Sequence, residues 1–130
     1  MPRTTQLTLS LASRPGTLAA VARTLADAGV NITALSAAET SGRGRIRLLV
    51  NNPVQAKRAL RKAKYRFSED PVFALRLRNK SGALARVAAR LAKARINIRS
   101  IYATTAGRGS AVAVVTVGGN PSKARRVLGR

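Results

Sequence analysis

An internal repeat is the feature that most limits what this chain can fold into. Residues 7–11, Leu-Thr-Leu-Ser-Leu, are matched 66 positions later by residues 73–77, Phe-Ala-Leu-Arg-Leu. The same offset aligns Gly16 with Gly82, Val21 with Val87, Leu25 with Leu91, Asn31 with Asn97 and Ile32 with Ile98. The match extends over most of the 130 residues. The chain is therefore two copies of one unit, which we place at 1–69 and 70–130.

Each copy has the pattern of a β-α-β-β-α-β unit. In the first, Leu7, Leu9 and Leu11 alternate with polar residues, which predicts a half-buried strand. Apolar residues then recur at helical spacing from Leu18 to Ala28. The remaining elements are a helix-ending Gly29, a strand over 30–37, a hairpin turn at 41–44, a strand over 45–50, a helix that begins at Asn52 and Pro53, and a strand over 65–68. We expect an α+β fold of two tandem ferredoxin-like units, an antiparallel sheet with helices on one face.

The second copy ends directly after its second helix and has no fourth strand of its own. Its first helix carries an apolar stripe of Leu84, Val87, Leu91 and Ala94, which predicts a core-facing side. An unpaired sheet edge either stays open or is filled by a neighbouring segment or another chain. The missing strand favours a homodimer in which the second copy completes the sheet, whereas the net charge of +21 opposes the association of two copies.

The composition excludes several kinds of chemistry. The chain has no Cys and no His, so it has no disulfide, thiol nucleophile, Cys/His zinc site or histidine base. Its acids are Asp27, Glu39, Glu69 and Asp70, and no candidate base or metal ligand accompanies them. We therefore expect no enzyme activity, no metal and no cofactor.

No segment has the length and hydrophobicity of a membrane span. The most apolar uncharged stretch, 110–120, is too short, and the N-terminus lacks the apolar core of a signal peptide. Together with the absence of Cys, this predicts a cytoplasmic location and no membrane partner.

The charge balance suggests a second class of function. There are 25 Lys and Arg residues against 4 acids, a formal net charge of +21. We predict binding to nucleic acid or heparin at low salt, because such surfaces release counterions from polyanions. The alternative function is therefore a basic scaffold, natural or engineered, that binds nucleic acid non-specifically. Its candidate residues are Arg45, Arg47, Lys57, Arg58, Arg61, Lys62, Arg76 and Arg78.

The same element order is that of an RNA recognition motif, which stacks bases on aromatic side chains of its central strands. The predicted third strands of this chain carry none, and the whole chain has two Tyr and two Phe. Sequence-specific reading of RNA is therefore disfavoured.

A more specific pattern follows the first strand of each copy. The first copy has Arg-Pro-Gly-Thr-Leu-Ala-Ala-Val-Ala at 14–22 and Ala-Gly-Val-Asn-Ile at 28–32. The second has Lys-Ser-Gly-Ala-Leu-Ala-Arg-Val at 80–87 and Ile-Asn-Ile at 96–98. This combination of turn, helix spacing and Asn-Ile resembles the ACT domain, and the resemblance covers nearly the whole chain as two tandem units.

The resemblance implies a non-enzymatic regulatory module that binds an amino acid at the interface between two ACT units. In that family the loop after the first strand contacts the ligand, and the start of the second strand of the partner unit closes the site. A glycine there lets backbone N–H groups approach a carboxylate. The implied ligand-binding residues are Ser13, Arg14, Gly16, Thr17, Leu18, Asn31, Ile32, Asn79, Gly82, Ala83, Leu84, Asn97 and Ile98.

The chain departs from the family pattern at three positions. Ser13 stands where Asn or Asp is frequent, Ser81 where Pro is usual, and Arg95 where a glycine ends the helix. Purely structural roles also stay open: the loop glycines suit a positive φ, and an Asn after a helix often fixes its own loop.

Overall fold

The computed structural model describes residues 3–78, 82–105, 110–119 and 121–128. The chain divides into two compact units. The first unit is Thr5–Asp70. The second is Pro71–Arg130 together with the start of the first strand, Arg3 and Thr4.

Strands and helices follow one another in the predicted order. The strands are β1 Arg3–Ala12, β2 Ile32–Thr40, β3 Arg43–Val50, β4 Ser68–Arg78, β5 Ile98–Thr105 and β6 Ser110–Val117. The helices are α1 Thr17–Asp27, α2 Pro53–Lys62, α3 Ala83–Lys93 and α4 Pro121–Leu128. The predicted α+β class is confirmed.

In the first unit, β3 lies between β1 and β2 and pairs antiparallel with both. The register places Leu9 opposite Ile46, and Leu35 opposite Leu48. Helices α1 and α2 pack beside each other on one face of this sheet. Between them lies a core whose fully buried members include Leu7, Leu9, Val21, Leu25, Leu48 and Leu60.

The second unit repeats this arrangement. Strand β6 lies between β4 and β5, with Leu75 opposite Ala113 and Ile101 opposite Val115. The first residues of β1, Arg3 and Thr4, belong to this unit as well. The core includes Phe73, Leu75, Leu91, Val115 and Ala124.

Several strand boundaries differ from the sequence prediction. Strand β2 ends at Thr40 instead of residue 37, and β3 begins at Arg43 instead of residue 45, so the hairpin turn is shorter than the predicted 41–44. The strand predicted at 65–68 begins at Ser68 and continues without a break to Arg78. The strand predicted at 30–37 begins at Ile32. In both places the preceding helix end extends further: the N–H of Tyr65 donates to the carbonyl of Leu60, and that of Val30 to Leu25. These hydrogen bonds satisfy the last helical carbonyls and keep both residues out of the sheet.

Several local predictions are confirmed. Asn52 is the N-cap of α2, and its side chain accepts the N–H of Gln55 at 3.1 Å. The β2–β3 hairpin turns over two residues, Ser41 and Gly42, with φ of 52° and 77°, the signature of a type I′ turn. One core prediction is wrong: Leu84 is 46% exposed, although the next stripe residue, Val87, is buried.

Candidate functional site

The loop between β1 and α1 is held by its own hydrogen bonds. The N–H of Ser13 donates to the carbonyl of Gly42 at 2.9 Å, and Oγ1 of Thr17 donates to the carbonyl of Ala12 at 3.0 Å. Gly16 is the N-cap of α1 with φ 91°, a conformation that favours glycine. The loop is therefore fixed beside the β2–β3 hairpin.

The helix that this loop enters has no side-chain cap. Gly16 offers no side-chain acceptor to the first-turn N–H groups of α1, and no acid stands in that turn. Gly82, with φ 87°, begins α3 in the same way. Uncapped N–H groups and the helix dipole favour an anion at this end.

A cavity of about 240 Å³ opens beside the first-unit loop. Four of the predicted ligand-binding residues form one wall: Ser13, Arg14, Thr17 and Leu18. The opposite wall is made by the β2–β3 hairpin, with Ala37, Ala38, Glu39, Gly44 and Ile46. A cavity just below the usual volume of drug-sized ligand sites suits a smaller molecule.

Two opposite charges line this cavity. Arg14 comes from the loop and Glu39 from the end of β2, and both side chains are exposed. Within the part of the chain that the structure describes, neither forms an ion pair or a hydrogen bond. The remaining lining is mostly apolar. The cavity therefore presents one cation and one anion above an apolar floor.

Asn31 and Ile32 lie at the opposite end of the first unit. Ile32 pairs with Val50 at the end of β3, whereas the loop lies near Arg43 at its start. These ends are seven residues apart, about 23 Å along a strand. The loop and the Asn-Ile pair of one unit therefore do not meet.

The structure gives Asn31 a role in its own loop. Its N–H donates to Oδ1 of Asn51 at 3.0 Å, and the N–H of Asn51 donates to the carbonyl of Asn31 at 3.0 Å. Among the described residues the side chain of Asn31 has no hydrogen-bond partner, and it is exposed. The loop is therefore fixed by the side chain of Asn51 and by the backbone of Asn31, whose own amide takes no part in these hydrogen bonds.

The second unit repeats this separation. Ile98 pairs with Val117, and the carbonyl of Asn97 accepts the N–H of Gly118 at 2.9 Å, at the far end from α3's N-terminus. At that N-terminus Ala83 is buried and Leu84 is exposed. The predicted anchor Asn79 lies outside the described residues.

Glu39, Ala37, Gly44 and Ile46 were not predicted as cavity residues. The hairpin turn carries the signal that would have found them. A two-residue turn at 41–42 sets Glu39 opposite Gly44, and Gly44 lies opposite Leu11 at the end of β1. Counting the paired residues of β2 and β3 outward from that turn therefore predicts that Glu39 lies beside the loop.

Large apolar side chains are exposed at the same two positions of both units. Leu18 and Leu35 are 40% and 42% exposed in the first unit, and Leu84 and Ile101 are 46% and 40% exposed in the second. Each pair consists of one residue on the first helix and one on an outer strand. These positions are 66 residues apart, so the exposure is a property of the repeat.

The predicted polyanion-binding residues fall into separate groups. Arg45 and Arg47 pair with Ser10 and Thr8, on the sheet face away from the helices. On α2, Lys57 bonds Glu69 at 3.0 Å, and Arg61 lies 5.3 Å from the centre of the Phe67 ring. The other members, Arg58, Lys62, Arg76 and Arg78, are exposed. Polyanion binding at these residues stays a prediction.

The described ranges contain no group of three or more acid, His or Cys side chains that could hold a metal ion. Across the same ranges, no helix is long and apolar enough to span a bilayer.

Comparison with known proteins extends the resemblance. A family model for the ACT domain pair matches residues 3–129. Among curated protein sequences, none matches the chain.

Solved structures repeat the whole fold. A protein from Bacteroides thetaiotaomicron is 28% identical, with a TM-score of 0.91 over 98% of this chain and 87% of its own. The ligand-free regulatory subunit of aspartate kinase from Thermus thermophilus is 17% identical, with a TM-score of 0.67 over 96% and 90%. The corresponding subunit from Thermus flavus is 16% identical, with the same TM-score and coverage. At 16–17% identity the likeness concerns the fold.

Proposed function

The chain belongs to the ACT domain family as an ACT domain pair, and from this premise we propose that it is a non-enzymatic regulatory module that binds an amino acid. The ligand site is the cavity beside the β1–α1 loop of the first unit. A cytoplasmic location, expected from the sequence, is part of the same proposal.

The observation that carries the proposal is the presence of Arg14 and Glu39 on opposite walls of one small apolar cavity. A free α-amino acid has a carboxylate and an ammonium group on one carbon, with a side chain beside them. A cation, an anion and an apolar wall are the three complementary features. Charged side chains that lack an internal partner can make charge-assisted hydrogen bonds to a ligand without first breaking an ion pair.

Each part of the ligand has an assigned partner. The carboxylate meets the guanidinium of Arg14 and the uncapped N–H groups of α1 after Gly16. The ammonium meets the carboxylate of Glu39. The side chain packs on Leu18 and Ile46, which restricts it to a small or medium apolar group.

The two copies differ where this chemistry is needed. At the offset of 66, Arg14 corresponds to Lys80 and Glu39 to Thr105. The second copy thus keeps a cation for the carboxylate and has no acid for the ammonium. We assign the zwitterion site to the first unit alone, so that one chain binds one amino acid.

Closure of the site requires a second ACT unit, which we assign to another copy of the chain. The loop and the Asn-Ile pair lie at opposite ends of each unit, so a site that uses both takes them from two units. The exposed Leu18 and Leu35 offer an apolar surface for such pairing. Homodimer formation is therefore part of the proposal, with Asn31 or Asn97 of a second copy over the ligand.

Thermal unfolding in 300 mM NaCl against the twenty amino acids tests the proposal. Salt screens trivial anion binding to the basic surface. A ligand that binds only the folded state stabilises it by RT ln(1 + [L]/Kd), so Tm rises with its concentration. The matched controls are the N-acetyl and amide derivatives of the best ligand, each of which lacks one charge. A rise for one or a few free amino acids, lost with both derivatives, supports the proposal, and no rise with any of the twenty contradicts it.

A further inference from the structure

The two units differ sharply in charge. All four acids lie before residue 71, whereas thirteen of the 25 Lys and Arg residues lie after it. In the first unit, two acids neutralise cations: Arg23 pairs with Asp27 at 3.6 Å and Lys57 with Glu69 at 3.0 Å. The second unit has no Asp or Glu in its sequence beyond residue 70.

Part of this charge lines a groove between α3 and α4. The groove has a volume of about 560 Å³ and is lined by Arg90, Lys93, Ala94, Arg126 and Val127. Nη2 of Arg90 donates to the carbonyl of Val127, which holds one guanidinium between the two helices. Lys93 and Arg126 are exposed at the groove, and Ala94 and Val127 form its apolar floor.

The repeat provides an internal comparison. On α3, Arg86, Arg90 and Lys93 stand where α1 has Ala20, Thr24 and Asp27. Both helix pairs pack in the same way, α1 on α2 and α3 on α4. A fold that needed cations here would have them in both copies. The cations on the α3 side of the groove are therefore a property of the second unit and not a requirement of the helix packing.

Helix dipoles account for only a small part of this charge. Arg90 and Lys93 lie in the last turn of α3, and Arg125 and Arg126 in the last turn of α4, where cations are favoured. Each helix end carries about half a negative charge, so the two ends offset about one positive charge. Lys93, Arg125 and Arg126 are exposed and carry three positive charges, so most of their charge is left for a ligand.

We propose that this groove binds the phosphate backbone of nucleic acid. Lys93 lies seven positions after Arg86, about 10 Å along the helix, a distance over which one strand of a duplex presents about three phosphates. Arg86, Lys93 and Arg126 contact phosphates, while Arg90 positions the two helices. The described helices of the unit carry no aromatic residue on which bases could stack, so the binding is independent of base sequence. This activity is separate from amino-acid binding by the first unit.

Fluorescence anisotropy with a labelled 20-base-pair DNA, titrated between 50 and 200 mM NaCl, tests the proposal. The groove variant is Lys93→Gln/Arg126→Gln. The matched control, Lys64→Gln/Arg66→Gln after α2, removes the same two residue types from the exposed surface of the first unit. We expect the groove variant to bind at least about tenfold more weakly, and the control less than about threefold. The slope of log K against log salt falls by about 1.8 in the groove variant alone, because two phosphate contacts are lost.

Three outcomes would overturn the proposal. Equal losses in both variants would mean that net charge alone governs binding. Absence of DNA binding by the unchanged protein at 50 mM NaCl would show that the protein lacks this activity. Tighter binding to vesicles with anionic lipid than to DNA would assign the groove to a membrane surface. The conservative variant Lys93→Arg/Arg126→Lys keeps both charges and is expected to retain the affinity and the slope.

Discussion

Arg95 has the left-handed backbone conformation, φ 59°, that Gly29 has at φ 74° in the first copy, 66 residues earlier. Both residues end a helix in the same way. The N–H of Gly29 donates to Ala26 and the next N–H donates to Leu25, while Arg95 and its successor bond Ala92 and Leu91. This is the Schellman arrangement, in which the residue after the C-cap turns left-handed. The fold thus imposes a glycine-like conformation on an arginine.

Replacement of Arg95 by glycine is expected to stabilise the protein by about 0.5–1 kcal/mol. A residue with a Cβ costs about 1–2 kcal/mol in the left-handed region, from which the larger entropy of a glycine in the unfolded chain is subtracted. Urea unfolding measures the change. Arg95→Ala is the control, because it removes the charge and keeps the strain. A gain in Arg95→Ala equal to that in Arg95→Gly would show that charge and not backbone strain is relieved.

Much of the fold could be predicted because its signals are local. The alternation of Leu7, Leu9 and Leu11, the Asn52-Pro53 helix start and the turn at 41–42 each depend on neighbouring residues only. The strand register could not be predicted in this way. That Leu9 of β1 lies opposite Ile46 of β3 depends on residues of two distant strands, which no local pattern encodes.

The site was predicted in part for the same reason. The loop residues Ser13, Arg14, Thr17 and Leu18 follow from the motif and line one cavity. Glu39 comes from a different element, and only strand register brings it to that cavity. Asn31 belongs to the motif but lies at the other end of the unit, because helix α1 separates it from the loop.

Leu25 and Leu18 lie on the same helix and are expected to differ strongly in their contribution to stability. Leu25 is fully buried in the first-unit core, whereas Leu18 is 40% exposed. Leu25→Ala leaves a cavity in the core and should cost about 2–5 kcal/mol, while Leu18→Ala should cost about 1 kcal/mol or less. Denaturant unfolding checks both. A large loss for Leu18→Ala would place this residue in the core and weaken its assignment to the ligand site.

The N-cap of α2 is expected to contribute about 1 kcal/mol. Oδ1 of Asn52 accepts the N–H of Gln55, which otherwise has no intrahelical partner. Asn52→Ala should lower the stability by that amount, and Asn52→Asp, which keeps the acceptor, should retain it. Urea midpoints of the two variants distinguish the cap from a general effect of substitution. Equal losses of stability in the two variants would show that the side-chain cap does not contribute.

Arg14 and Glu39 are expected to contribute to ligand binding and little to stability. Both are exposed and form no ion pair among the described residues. Arg14→Gln and Glu39→Gln should therefore change the free energy of unfolding of the free protein by less than about 0.5 kcal/mol. Each should weaken the binding of a free amino acid by about tenfold or more, since a charge-assisted hydrogen bond is lost.

The ligand derivatives sharpen this test. N-acetylation removes the positive charge of the ligand and should weaken its binding to the unchanged protein. The Glu39→Gln variant should bind the acetylated and the free amino acid with similar affinity. Amidation of the carboxylate should behave in the same way toward Arg14→Gln. Isothermal titration calorimetry gives both coupling energies as double-mutant cycles. Additive losses would contradict the pairing of each group with its residue.

Stability is expected to rise with ionic strength, most of all through the second unit. Residues 71–130 carry thirteen cations and no acid, so their mutual repulsion opposes the compact state. Between 10 and 150 mM salt the screening length falls from about 30 Å to about 8 Å, which removes most repulsion between exposed charges. Thermal unfolding in NaCl should therefore show a rising Tm, with a larger rise in sulfate at equal ionic strength because a divalent anion also binds the cations. Arg126→Gln should raise Tm at 10 mM salt and make it less dependent on salt. A Tm that stays constant over this range would mean that the cations lie too far apart to repel one another. The proposed phosphate binding by the groove between α3 and α4 would then lose its electrostatic basis.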